Sequence, residues 1–418
     1  MSIEPAAPDG TIQLLRNGDE TFPAWLAAIA SAREEIVLEM YWFDSDTTGR
    51  QFANALIERA RAGVEVLVIY DAIGSLGTDP TMWAEMIDAG IQVREFHPIA
   101  PWHRRFRFEA ITLRDHRKIL VVDAAVAFTG GINICDQAAS KDRGGGGWRD
   151  DAVQVTGRPV AELRALFFDT WLRLGGRAPR ADPSRMRRAR RQLNAAARYE
   201  AGQEPGDPSN TWRARLARVS RPSREIVVAE QPALAVRPPV QVIGHSTWGA
   251  QRTIRNMYVR QIRGARKRIL IANSYFVPDN TVRRALERAA RRGVEVRVIV
   301  PKKSDVPSVG WAARALFASL MRAGVHVHFW IEGMMHAKSA VIDRWATVGS
   351  YNLDYRSLRY NLEVNVASEE PGFVESVEQS IRTDLEASCQ EIDRVEWARR
   401  PWLEKLFEWF AYLVRKVL

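Results

Sequence analysis

The sequence predicts an α/β protein of two similar domains, each a mixed, mostly parallel sheet flanked by helices. Three observations carry this. Short β-rich runs alternate with amphipathic helical stripes, the pattern of βαβ units. That alternation occurs twice, in the same order, in the two halves of the chain. At 418 residues, with 46% hydrophobic and 26% charged, the chain is long enough for two or three domains and too apolar for disorder.

The elements follow in order. Ala32 to Leu38 (AREEIVL) recurs as Ala265 to Ile271 (ARKRILI), predicting strands over 35–43 and 268–276. Helices are predicted over 49–62 and 280–292, where Phe52, Leu56 and Ile57, and then Leu286, Ala289 and Ala290, form apolar stripes. Arg61-Ala62-Gly63-Val64-Glu65-Val66 matches Arg291-Arg292-Gly293-Val294-Glu295-Val296, and strands are expected over 64–70 and 294–300. A further helix and strand close each unit, with Ala89-Gly90-Ile91-Gln92-Val93 matching Ala323-Gly324-Val325-His326-Val327. This organisation gives a first domain over 1–174, a linker over 175–225, a second domain over 226–395 and a C-terminal amphipathic helix over 396–418.

The linker carries most of the net charge. The chain is formally +10, and between Arg180 and Arg224 twelve arginines face four acids, 12 − 4 = +8. Such a block suits nucleic acid or acidic lipid headgroups, or is a solvated linker face. Cys135 and Cys389 are too few for a disulfide framework. No run of eighteen apolar residues and no secretory pattern at the start are visible, so neither a membrane span nor an export signal is expected.

Following the third strand of each half comes His-x-Lys-x4-Asp: His116, Lys118 and Asp123, then His336, Lys338 and Asp343. Chance predicts roughly 0.007 such matches in a chain of this composition. A lone strand histidine is most simply a packed core residue, but a duplicated set at equivalent places outweighs that reading. In an extended strand, His116 and Lys118 share one face, as do His336 and Lys338. Lysine is scarce here, 8 of 60 basic residues, so its recurrence suggests a site that wants a compact point charge. Each motif is followed by a glycine turn and an asparagine, Gly130-Gly131-Ile132-Asn133 and Gly349-Ser350-Tyr351-Asn352. The asparagine amide can donate to an anionic oxygen. Six residues separate Asp123 from Gly130 but five separate Asp343 from Gly349, predicting a shorter hairpin tip in the second half.

These residues resemble the signature of the phospholipase D superfamily, over nearly the whole chain. Met40-Tyr41-Trp42-Phe43, Trp345 to Ser350 and Asn352-Leu353-Asp354 are similar to bacterial cardiolipin synthases lacking transmembrane helices. The resemblance implies an active site at the interface of the two phospholipase D-like domains, with a catalytic centre from both triads, His116, Lys118, Asp123 and His336, Lys338, Asp343, in which His116 is the nucleophile and His336 the acid and then base. Lys118, Lys338, Asn133 and Asn352 would bind the phosphate oxygens. Each histidine needs an acceptor on its other ring nitrogen, for which Asp150 and Glu363 are the candidates. Asp123 and Asp343, five residues beyond each lysine, are expected to brace the turn. No cofactor and no metal are expected, because two lysines supply the positive charge and no carboxylate cluster at ligand spacing accompanies them.

The reaction this implies is transfer of a phosphatidyl group between phosphatidylglycerol-type lipids. The partners would be an anionic phospholipid and a membrane surface, and the location the periphery of a bacterial cytoplasmic membrane. The other reading is a phosphodiesterase nuclease of the same superfamily. Pro101 to Phe108, with its alternating aromatics and arginines, suits either lipid or single-stranded nucleic acid. The Gly144 to Gly147 run is expected to be a mobile loop. From Trp402 on, an apolar stripe of Trp402, Leu403, Leu406, Phe407, Phe410, Leu413, Val414 and Val417 fits an interfacial helix or one closed over the second core.

Overall fold

The computed structural model describes residues 10–99, 112–177, 239–244 and 252–415. The basic block at 180–224, the segment at 101–108 and the last three residues lie outside the described residues. The first half runs β1 (Ile12–Arg16), α1 (Asn17–Ser31), β2 (Glu35–Met40), α2 (Thr47–Arg61), β3 (Glu65–Asp71), α3 (Pro80–Asp88), β4 (Gln92–Phe96), β5 (Arg114–Asp115), β6 (Lys118–Val122), β7 (Val126–Gly130), β8 (Asp151–Thr156) and α4 (Arg158–Arg173). In the second half come β9 (Val240–Gly244), α5 (Arg252–Gly264), β10 (Arg268–Asn273), α6 (Asn280–Arg291), β11 (Glu295–Pro301), α7 (Pro307–Arg322), β12 (His326–Trp330), β13 (Lys338–Ile342) and β14 (Trp345–Gly349). It closes with α8 (Tyr355–Arg359), β15 (Asn361–Leu362), β16 (Val364–Ser368), α9 (Pro371–Ala387), β17 (Cys389–Glu391), α10 (Arg394–Arg399) and α11 (Trp402–Leu413).

The repeat seen in the sequence is a repeat of topology. The first sheet has the order β1-β8-β7-β6-β2-β3-β4, and the second, read from its other edge, has β9-β16-β14-β13-β10-β11-β12, with β17 added beyond β12. Local signals match too. Asp46 and Asp279 cap α2 and α6, accepting from Gly49 N at 2.9 Å and Val282 N at 3.0 Å, which satisfies one of the free N–H groups of each first turn.

The sheets are mixed, but the expectation that they are mostly parallel is corrected. Among the described residues of the two large sheets, only β2-β3-β4 and β10-β11-β12 pair in parallel, and the remaining pairings there are antiparallel. The helical crossovers serve just those first three strands. Beyond them β6 and β7 are joined by residues 123–125, and β13 and β14 by residues 343–344, connections that only antiparallel neighbours can close. The second tip is one residue shorter, as the spacing predicts. The strands expected over 35–43 and 268–276 also end early, at Met40 and Asn273, and the residues beyond them turn toward the site.

One apolar cluster spans both halves. Val153, Phe167 and Trp171 share it with Ala346, Val364 and Phe373, the valines and phenylalanines each contributing ~1.5–3 kcal/mol by burial. Here α4 lies on the first sheet and reaches β9, while α9 lies on the second and reaches β1. The described parts of both halves therefore belong to one compact unit. Among the described residues, no helix is long and apolar enough to cross a membrane.

Candidate active site

Each motif histidine sits where its strand begins, and the backbone that fixes it comes from the opposite half. β5 pairs with β15, and His116 N donates to Leu362 O at 3.0 Å. In the mirror arrangement Arg149 bridges Met335, and His336 N donates to Arg149 O at 2.7 Å. The side chains cross in the same way. His116 Nδ1 lies 3.1 Å from Glu363 Oε2 and 3.2 Å from Ser350 O; His336 Nδ1 lies 2.7 Å from Asp150 Oδ2. Asp150 immediately precedes β8 and Glu363 immediately precedes β16, so the two carboxylates hold equivalent places in the repeat. Both candidates for orienting a histidine are thus brought to one, each across the divide.

The two pairs are not alike. Glu363 is enclosed by Ser350, by Ser357 Oγ at 2.7 Å and by Asn361 Nδ2 at 3.2 Å, and its burial raises its pKa. Burial would raise Asp150 as well, but Lys338 and His336 beside it more than offset this and hold its carboxyl below the usual range. His116 is pushed well below the ordinary imidazole range by burial, reinforced by the charges of Lys118, Lys338 and His336. His336 is lowered too, by burial and Lys338, with Asp150 acting against the shift.

Lys118 donates to His116 O at 2.7 Å, and Lys338 to His336 O, with its Nζ 2.9 Å from His336 Nδ1. Both ammonium groups are buried. Burial and mutual repulsion bring Lys118 down to about 7, and burial brings Lys338 to about 8. Two desolvated ammonium groups close enough to repel each other, with Asp150 and Glu363 as the nearby carboxylates, suit an anionic ligand. Asn133 and Asn352 are buried; the Asn133 Oδ1 has no hydrogen-bond partner among the described residues, and Asn352 Oδ1 accepts from Ser274 Oγ at 2.8 Å. Gly131 is required where it stands, since a Cβ there would lie 2.1 Å from Asp150 Oδ1.

Asp123 and Asp343 are not brought to this centre. At the far ends of β6 and β13 they accept the backbone N–H groups of Arg33, Glu34 and Glu35 (2.8–2.9 Å) and of Arg266, Lys267 and Arg268 (2.8–3.0 Å). Their place among the reacting residues is therefore corrected to the bracing role, and both adopt the left-handed backbone, φ 52° and 51°, that Asp tolerates. The glycine run is corrected also. Gly144, Gly145, Gly146 and Gly147 each donate a backbone hydrogen bond of 2.8–2.9 Å, and a Cβ at Gly145 would meet Ala139 O at 2.4 Å, so the run is a hydrogen-bonded turn, packed at Gly145 and open at Gly144.

Several site residues escaped the sequence reading. Tyr41 stands edge-on to His116 at 4.8 Å with Lys118 Nζ over its ring, and Tyr275 stands edge-on to His336 at 6.2 Å. The repeat sets Tyr41 against Ser274 and Tyr275 against Trp42, so alignment of the halves gave no signal for either tyrosine. Trp148 packs 5.5 Å from His336. Beneath the histidines, Arg117 ties Glu39 (2.7 Å) to Asp115 (2.8 Å), and Arg149 ties Asp151 (2.6 Å) to Asp384 (2.7 Å). Such buried pairs fix geometry more than they add stability.

Two histidines and two lysines held by a duplicated fold define the phospholipase D class. The family model described as "Cardiolipin synthase, PLD-like domain" matches the chain twice, over residues 25–145 and 258–385. Cardiolipin synthase 1 of Bacillus anthracis is 31% identical over 99% of this chain and 74% of its own length, and a probable cardiolipin synthase of Bacillus subtilis (strain 168) is 31% identical over 97% and 72%. Among solved structures, phosphatidylserine synthase from Haemophilus influenzae Rd KW20 shares the fold, with a TM-score of 0.67 at 14% identity over 97% of this chain and 95% of that one. The chain belongs to the cardiolipin synthase family of the phospholipase D superfamily, a family of phosphatidyltransferases.

Proposed function

We propose that the protein moves a phosphatidyl group from one phosphatidylglycerol-type lipid to the hydroxyl of another, through a phosphohistidine on His116. The observation that carries this is the crossed, unequal pair of histidine–carboxylate contacts flanking two buried lysines. His116 Nε2, unprotonated, attacks phosphorus; the bond from phosphorus to the glycerol oxygen breaks, and that oxygen takes a proton from His336. His336, now neutral, removes the proton of the second lipid's hydroxyl, which attacks phosphorus and releases His116. An ionised Asp150 favours the imidazolium of His336, whereas Glu363, raised by burial, favours it less on His116. That difference supports assigning nucleophile to His116 and acid to His336. Lys118, Lys338, Asn133 and Asn352 hold the nonbridging oxygens, and burial of the centre limits access of water, favouring transfer over hydrolysis. The same reading puts the enzyme at the periphery of a bacterial cytoplasmic membrane.

Vesicles of labelled phosphatidylglycerol should yield labelled cardiolipin and free glycerol, while single-stranded DNA should remain intact. Turnover should survive EDTA, because the lysines supply the cationic charge. Cleavage of the DNA without lipid transfer would overturn the lipid assignment, and complete loss with EDTA, restored by one divalent ion, would overturn the charge assignment.

The lysines also set a pH dependence. Phosphate binding needs them protonated and the leaving oxygen needs the His336 proton, so kcat/KM for a soluble phosphodiester should fall as pH rises, first as His336, lowered by burial and Lys338, loses its proton and then through about 7 to 8 as the lysines do. On the acid side it should fall only well below the usual imidazole range, where His116 gains a proton. A profile still flat at about pH 9.5 would show that neither lysine titrates in the free enzyme.

A further inference from the structure

Helix α11 is mounted the wrong way round for a helix that closes a core. Among its described residues, only Glu408 and Ala411 are buried, while the apolar stripe from Trp402 to Val414, together with Trp409, is 40–70% exposed. Polar contacts hold the inner face. Arg400 forks onto Glu408 at 2.5 and 3.0 Å, Lys405 donates to Ala398 O at 2.7 Å, and Tyr412 packs against the second-half core where α11 meets α7. A soluble surface rarely presents such a patch without something to cover it.

We propose that this face enters the interfacial layer of an anionic phospholipid bilayer. The proposal rests on the phospholipid reading above. Four features favour a bilayer over other occupants. Trp402 and Trp409 stand on the exposed side, where indole rings suit the headgroup boundary. Cations border the stripe, with Arg399 and Lys405 exposed and Arg415 at its far end, matching an anionic surface. A helix of 12 residues, about 18 Å long, cannot span a bilayer but can lie along one. Finally, two residues past its end the Arg415 guanidinium lies over Tyr355, 5.7 Å from the ring centroid, at the start of α8, the helix that follows the turn carrying Asn352.

The test uses the full chain and a Trp402→Glu/Phe407→Glu/Phe410→Glu variant, with cosedimentation on phosphatidylglycerol and phosphatidylcholine vesicles, sedimentation velocity, and turnover of monomeric dihexanoyl phosphatidylglycerol. The partition coefficient on phosphatidylglycerol vesicles should fall at least about tenfold, and turnover of the short-chain lipid should stay within about twofold. A separate Phe407→Cys protein carrying an environment-sensitive fluorophore should shift to the blue on those vesicles, which reads the same contact even if the triple variant is unstable. Unchanged partitioning, no blue shift, or a wild-type dimer that the variant converts to monomer while keeping its vesicle binding would each overturn the proposal, the last assigning the face to a second copy. Vesicle binding through this face without phosphatidyl transfer would leave the proposal standing and sink the proposed reaction instead. Transfer with vesicle binding indifferent to the face would do the reverse.

Discussion

A His336→Ala variant given a phosphatidyl donor with a p-nitrophenyl leaving group should accumulate the phosphatidyl label on His116, retained after rapid denaturation at alkaline pH. A nitrophenolate departs without a proton, so the first step no longer needs His336. The second step does, because no base remains to activate the acceptor. The label should therefore stay where it is formed. His116→Ala should take up no label and lose at least about 10³-fold in kcat/KM on the natural donor, since the covalent route is gone. Peptide mapping decides the assignment: label on His336 in the His116→Ala protein would exchange the two roles.

The second large effect concerns Asp150. In Asp150→Asn the side chain keeps its size, but its nitrogen can be turned toward His336 Nδ1, 2.7 Å away in the present structure, driving the ring proton to Nε2. That tautomer cannot accept the acceptor's proton, and a loss of about 10³ to 10⁴ in transfer is expected. With the nitrophenyl donor the loss should fall mainly on the second step, giving a burst near one equivalent of nitrophenol per enzyme followed by slow turnover. Glu363→Gln should cost less, because Ser357 and Asn361 also hold that side chain and His116 needs orientation more than a counter-charge. If Glu363→Gln costs more and Asp150→Asn less than about tenfold, the nucleophile lies on the other side.

The parts of this protein that repeat were readable, because two copies of a weak signal reinforce each other. The strand runs, the motif lysines and the shortened hairpin at 343–344 all came from alignment of one half on the other. Strand direction was harder. The βαβ rhythm was carried past β4 and β12, although the short connections at 123–125 and 343–344 already required antiparallel neighbours. The partners of His116 and His336 could be named but not matched, because nothing in a linear chain reveals that Glu363 serves the earlier motif and Asp150 the later one. Helix α11 was ambiguous for a similar reason. An apolar stripe reads alike whether it faces a core or leaves it, and the ion pair between Arg400 and Glu408 that decides the matter has no periodicity.

The exchange of supports between the halves bears on how such a chain could arise. One half alone lacks the strand that seats its histidine and the carboxylate that orients it, so a single unit would have to work as a symmetric pair of copies. In that pair the two histidines would be chemically identical, and whichever one attacked would do so by chance. Joining the copies in one gene removes that constraint, because each position can then be inherited separately. The aspartate at 150 and the glutamate at 363 are the kind of divergence that follows: a division of labour written into a frame that remains nearly symmetric.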